Sequence, residues 1–312
     1  MQYEISGFWR RLGAFLIDSI ILGVFGFILG LFFAPYFVVL GGWGRAVGFL
    51  IAITYFAILN SNIGGGQTIG KRILKIQVLD KAGELLNLPK SATRYSIIGI
   101  PYFLNGATIS ESFFYPIGFY LLSLLVFGFG LSIVYLFVFN RNTRQSLHDI
   151  ITGTYVIIKG SKTTEPRKAI WSVHYVICGI LMVLALLAPI FIGQLSKNDF
   201  FSQLINTRNQ IQDIPEVVSA TIHDGHSTFS SIDGESKTTT YITSQVLLKN
   251  CNVEDEKLAS KIANIILQVH KEANQKNFIQ VTISYGYDIG IYSSWRSNSY
   301  SFSPEEWLAK KN

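Results

Sequence analysis

From Phe113 to Phe139 the chain runs 27 residues without one Asp, Glu, Lys or Arg. As an α-helix that run rises about 40 Å, more than the roughly 30 Å hydrocarbon core of a bilayer. A soluble domain of this size has no layer thick enough to bury such a helix on every side. Ile170 to Gly193 adds 24 residues with no such charge, and Leu12 to Ala34 adds 23 interrupted only by Asp18. Trp43 to Leu59 gives 17, with Arg45 near its start. Tyr95 to Thr108 is apolar for only 14 residues and contains Pro101, so length alone does not decide whether it crosses.

The placement of charge decides it. Charged residues make up 15% of the chain, against about 25% in soluble proteins. Residues 1 to 193 carry 15 Lys/Arg and 7 Asp/Glu, a net +8, whereas residues 194 to 312 carry 11 and 13, a net −2. A basic, apolar half joined to a polar half fits a membrane protein with a soluble appendix and disfavours nucleic acid as a partner. If Tyr95 to Thr108 crosses, the Lys/Arg of the N-terminus, of the loop before it and of the loop after Phe139, fourteen in all, share one side, and only Arg45 lies opposite. The positive-inside rule then predicts five spans in the cell membrane, with the N-terminus cytoplasmic and the C-terminal domain outside. Glu111 and Phe113-Phe114-Tyr115 would sit at the outer mouth of a tight helical hairpin. Arg10-Arg11 before an apolar run has the form of a signal peptide, but the run is too long and no small-residue cleavage site closes it, so a retained helix is expected.

The expected fold class is therefore an all-α transmembrane bundle of about five spans plus a C-terminal soluble α+β domain. The membrane domain covers residues 1–168, with spans at 12–34, 43–59, 95–108 and 113–139. A fifth helix covers 169–193, and the extracytoplasmic domain 194–312. In the latter, an amphipathic helix over about Asp199 to Gln212 precedes strands near Val217 to Ile222 and Thr239 to Leu248. Asp224-Gly225 and Asp233-Gly234 read as turns. Leu258, Ile262, Ile265, Ile266 and Val269 recur at helical spacing, with Asn252 as the expected cap. Alternation from Ile279 to Tyr285 predicts a strand, paired with another near Ile289 to Trp295. Two cysteines, Cys178 and Cys251, cannot build a disulfide framework.

Three stretches together resemble the RDD family of multi-pass membrane proteins. In GFWRRLGAFLID, Arg11, Ala14 and Asp18 match the family's opening motif. In GGGQTIGKRILKIQVLDKAGE, Thr68, Gly70, Lys71, Arg72 and Asp80 match its central stretch. In RQSLHDIITGTYVI, Leu147-His148-Asp149 matches its third motif. The resemblance covers about residues 7 to 158. It implies a membrane location and a link to transport, including cation/proton exchange, in a family most of whose members have no assigned activity. The fifth span and the outer domain are additions to the minimal pattern.

Asp18 is the most informative candidate. An aspartate at mid-span costs up to about 2.5–3.5 kcal/mol on insertion scales, so something must offset it. Arg11 lies almost two turns earlier on the same face, about 10 Å along the axis, so Arg94, Arg141 or Arg144 at neighbouring helix ends are the expected partners. Two readings stand: an ion- or proton-coupling carboxylate, or a buried ion pair that locks helices together. Asp149 beside His148 fits a cap or salt bridge better than acid/base chemistry, because no nucleophile or metal set accompanies the pair. Gly65 to Lys71 spells G-x-x-x-x-G-K, yet Arg72 follows the Lys where a phosphate loop needs Ser or Thr. The alternation of Ile73, Lys75 and Gln77 with Leu74, Ile76 and Val78 predicts instead an interfacial strand. There Lys71, Arg72 and Lys75 would meet the anionic headgroups of the bilayer's cytoplasmic face. His223, Asp224 and His226 offer metal-ligand types, but a hairpin turn explains them better. The Tyr/Trp-rich stretch from Tyr285 to Tyr300 fits a small sheet core. Thr54, Asn60 and Asn105 either line a pathway or bond neighbouring helices.

No cofactor, metal or enzyme chemistry is expected. The leading functional expectation is a transporter or transporter accessory. The alternative is a non-transporting anchor or sensor whose outer domain binds a partner. A homo-oligomer or a membrane partner is compatible with either.

Overall fold

The computed structural model describes residues 3–106, 117–163, 168–195, 197–230 and 236–310. Thr108, Glu111, Phe113-Phe114-Tyr115 and Asp233-Gly234 lie outside them. The chain divides into two compact units: Met1–Phe33, Gly42–Ile190 and Asp288–Ser293; and Ala34–Gly41, Phe191–Tyr287 and Ser294–Asn312.

Among the described residues, three helical stretches are long and apolar enough to cross a membrane: Phe8–Leu59, Ile117–Phe139 and Val173–Leu195. The first contains α1 (Phe8–Leu40) and α2 (Gly44–Leu59). Its apolar side chains point outward as much as inward: Ile20, Leu31 and Phe32 are each at least 65% exposed. Such a surface is stable only against lipid or another apolar partner. The short apolar segment forms α4 (Leu88–Leu104), which starts seven residues earlier than expected because Asn87 caps it and Pro89 fits its first turn. Arg94 thereby becomes a helical residue. Phe56 of α2 stacks on Tyr95 of α4 at 4.6 Å, and Leu22, Ala52 and Phe103 complete that contact. Helix α5 (Ile117–Phe139) contains a π-helical stretch, Leu124–Phe129. Ser123, just before it, donates to the carbonyl of Ala185 in α7 (Val173–Leu195) at 2.6 Å.

Between the helices, short polar-capped elements replace the expected strand at Ile73. Thr68 accepts from the Lys71 N–H and starts α3 (Ile69–Ile73), Lys75 takes a left-handed φ of 54°, and only then does β1 (Ile76–Asp80) begin. A helix cap and a reversal in backbone direction override the alternation. β1 pairs antiparallel with β2 (Thr154–Ile158), and the N-terminal Ile5 bridges to Ile157 on its far side. Ile76, Val78, Leu86 and Val156 pack with Ala14 beneath this ribbon. The helix α6 (Leu147–Thr152) leads directly into β2.

The second unit is built from α8 (Asp199–Gln212), β3 (Val217–Ser230), β4 (Ser236–Leu248), α9 (Glu256–Val269), β5 (Phe278–Asp288), β6 (Ser293–Phe302) and α10 (Pro304–Ala309). The sheet order is β3-β4-β5-β6, with β3 antiparallel and β5 parallel to β4. Ile211, Ile242, Val246, Ile262, Ile266, Ile283 and Trp307 share one core. Asp224-Gly225 is strand rather than turn, paired with Ile242 and Tyr241, because the Asp224 carboxylate is anchored by Lys276 Nζ at 2.8 Å. His223 and His226 flank it on the same strand, and among the described residues no group of three His, Cys, Asp or Glu is placed to hold a metal. The cap of α9 is Asp255, which accepts from Leu258 N at 2.9 Å, rather than Asn252. The last strand starts at Ser293, not Ile289. In the aromatic stretch, Tyr300 packs on the core while Trp295 is 50% exposed.

Candidate functional site

Both motif carboxylates are buried, and they are neutralised differently. Asp149 lies in the first turn of α6, where the Ser146 N–H donates to its Oδ2 at 3.3 Å. Arg11 Nη2 donates to Oδ2 at 2.6 Å, and Arg94 donates to Oδ1 through Nη2 at 2.6 Å and Nε at 3.1 Å. The Thr154 hydroxyl adds a bond to Oδ1 at 3.1 Å. Asp149 is fully buried, and Arg11 and Arg94 are 8% and 6% exposed. One carboxylate thus ties α1, α4, α6 and β2 together. Burial raises its carboxyl, but His148 when charged, Arg94 and Arg11 outweigh burial and hold it well below the usual carboxylate range. Burial pushes the neighbouring His148 down to about 3, with Asp149 opposing and Arg94, Arg11 and Lys71 assisting, so the imidazole is neutral at pH 7. At neutral pH the fixed charges here are two guanidiniums and one carboxylate. Arg11 also lies over the Phe137 ring, 5.4 Å from its centroid.

Asp18 has no ion-pair partner among the described residues. Its Oδ1 accepts from Tyr55 OH at 2.7 Å and from Gly70 N at 2.9 Å, and its Oδ2 from Thr68 Oγ1 at 2.6 Å. The expected pairing with Arg94, Arg141 or Arg144 does not occur, because Arg94 is committed to Asp149. Arg144, held with a left-handed φ of 55°, makes no ion pair among the described residues. Gly70 permits the close approach of α3 to α1: a Cβ there would collide with the Ala14 carbonyl oxygen. Asp18, 1% exposed, therefore holds α1, α2 and the start of α3 through neutral donors alone.

Lys71 belongs to this interior and not to a surface patch. It is half-buried, and its Nζ donates to Asn60 Oδ1 at 2.8 Å. Burial and the Arg94 charge push its ammonium below the ordinary range while Asp18 pulls the other way. Arg72 and Lys75 are exposed. Tyr55 and Thr154 escaped sequence reasoning as site residues, whereas Asn60, expected to line a pathway or bond a neighbouring helix, accepts from Lys71 at the end of its span. Among the described residues Thr54 bonds only its own helix, through Leu50 O. The 65–71 stretch forms two left-handed glycines, Gly65 and Gly66, and a five-residue helix, without the strand-loop-helix frame of a phosphate loop.

The three sequence motifs thus converge: the first supplies Arg11 and Asp18, the second receives Asp18 at Thr68 and Gly70, and the third supplies Asp149. A model of the RDD family matches residues 5–153. This half of the chain belongs to the RDD family. The uncharacterized protein YckC of Bacillus subtilis (strain 168) is similar to it, 28% identical over 155 residues that cover 49% of this chain and 85% of that protein. No solved structure matches the chain. The RDD domain, with its outward-facing apolar helices, makes this a membrane protein.

Proposed function

We propose that the RDD domain couples a cation to a proton at Asp18, in a chain that crosses the membrane five times. The observation that carries the reading is the contrast between the two carboxylates. Asp149 is matched by two arginines, whereas Asp18, inside the first span, is met only by two hydroxyls and one N–H. A buried carboxylate in a membrane needs a positive charge, and here a proton or a cation can supply it. The hydroxyls of Tyr55 and Thr68 can turn their protons away and offer lone pairs, which makes an oxygen set suited to a hard cation.

Five spans, with the N-terminus cytoplasmic and the C-terminal unit outside the cell membrane, follow from the fourteen-to-one placement of Lys/Arg. Helix α4 is short for such a span: its 17 residues rise about 25 Å with Lys90 and Arg94 in the first two turns, so a crossing here calls for local thinning of the bilayer. Reporter fusions after Lys90 and Lys162 are expected to read cytoplasmic, and one after Asn250 external. A cytoplasmic signal at Asn250 would break the five-span reading.

The alternative, an anchor or sensor whose outer domain binds a partner, draws on the separate core of the C-terminal unit. Flux separates the two. In vesicles reconstituted with the full chain, a pH gradient should drive Na⁺ or K⁺ movement, and Asp18→Asn should abolish it. The Asn carbonyl can still accept from Gly70 and Tyr55, and its amide can donate to Thr68, so the expected stability loss is only about 1 kcal/mol. Absence of flux in a folded wild-type protein would favour the anchor.

A further inference from the structure

A second feature of the RDD domain stands apart from both carboxylates. Arg72, Lys75 and Lys159 line one open cleft of about 670 Å³, whose walls include Asn62, Gly64 and Gln67. No carboxylate lines it, and none of the three cations forms an ion pair among the described residues. Two of them are held in place by neutral groups. Lys159 Nζ donates to Gln67 Oε1 at 2.6 Å, and Gln67, 4% exposed, is itself fixed by donating from Nε2 to Ile76 O at 2.8 Å. Arg72 Nη2 donates to Gly64 O at 3.0 Å, which leaves the rest of its guanidinium fork for another acceptor. The backbone fixes the third position: Lys75 sits at the left-handed turn between α3 and β1, and its carbonyl accepts from Lys159 N at 2.9 Å.

Three like charges lining one cleft repel one another unless an anion joins them. Their chemistry suits a phosphate oxyanion: the remaining guanidinium N–H groups of Arg72 can donate to its oxygens, and two ammonium groups act as point charges. We infer that this cleft is a phosphate-binding site of the RDD domain, its ligand a phosphate monoester or diester taken from an anionic lipid headgroup or from a soluble phosphate compound. The sequence alone sets Lys71, Arg72 and Lys75 against anionic headgroups; the fold replaces Lys71, which turns away to Asn60, with Lys159, which reaches the cleft only through the β1–β2 pairing. The inference is independent of the reading of Asp18.

The test uses the full chain in neutral detergent. One arm adds phosphatidylglycerol or phosphatidylcholine in mixed micelles, the other inorganic phosphate, with thermal stability and a binding isotherm as readouts. The wild type is expected to bind phosphatidylglycerol, inorganic phosphate or both, and phosphatidylcholine at least tenfold more weakly than phosphatidylglycerol. Response to lipid alone identifies a headgroup, and response to phosphate a soluble ligand. Lys75→Gln and Lys159→Gln should each weaken the bound anion by about tenfold, the size of one lost charged contact. Lys75 makes no side-chain hydrogen bond among the described residues, so its variant keeps the ligand-free melting temperature and guards against misfolding. Wild-type binding that both substitutions leave unchanged, or no anion response in either arm, would overturn the assignment.

Discussion

Asp149→Asn is expected to lower the stability of the RDD domain by about 3–5 kcal/mol, because it strands two buried guanidiniums without their counter-charge. Arg11 and Arg94 come from different helices and meet only at this carboxylate. An amide accepts one of their bonds but offers no charge, and its own N–H₂ points toward donors. The loss should appear as a lower melting temperature of the detergent-solubilised chain and as faster amide exchange in α6 and β2. Removing one of the stranded charges should restore part of it: Asp149→Asn with Arg94→Gln should lose less than the sum of the two single changes. Additive losses would mean that Arg94 and Asp149 do not depend on each other.

The second large effect belongs to the C-terminal unit. Trp307 is fully buried, donates its Nε1–H to Ile279 O at 2.9 Å, and meets Phe302 edge-on at 4.9 Å. The short helix α10 exists to deliver it: Ser303 caps the helix by accepting from the Glu306 N–H, and Pro304 follows at the first position. Trp307→Ala is expected to cost about 3–5 kcal/mol, from lost contact area and the cavity left behind. Hydrogen exchange on the full chain should quicken in α9 and β5 while α6 and β2 keep their protection. Equal loosening of both sets would contradict two separate cores.

The sequence made the long apolar runs and the motif residues visible, because length and charge are properties of a segment alone. Pairing is not such a property. Arg11 and Asp18 share a face of α1, yet one answers to Asp149 and the other to Tyr55, Thr68 and Gly70. Only the packing of α4 and α3 decides which. The alternation at Ile73 was real, but Thr68 as a cap and the reversal at Lys75 converted its start into helix. Asp224-Gly225 has turn chemistry in isolation, and a lysine from a distant segment holds it in a strand. In each case a contact far away in sequence outweighed a local preference.

The central claim is that the two buried carboxylates divide the work, Asp149 binding the domain together and Asp18 holding an exchangeable positive ion. The most direct measurement is the melting temperature of the solubilised chain as Na⁺ or K⁺ is raised at constant ionic strength, using choline as the replacement ion. A cation that binds the folded site stabilises it by about 2.7 kcal/mol at one hundred times its dissociation constant. The wild type should therefore melt progressively higher as the cation replaces choline, and Asp18→Asn should show a flat response. The same upward shift in wild type and Asp18→Asn, or no shift in either, would contradict the account.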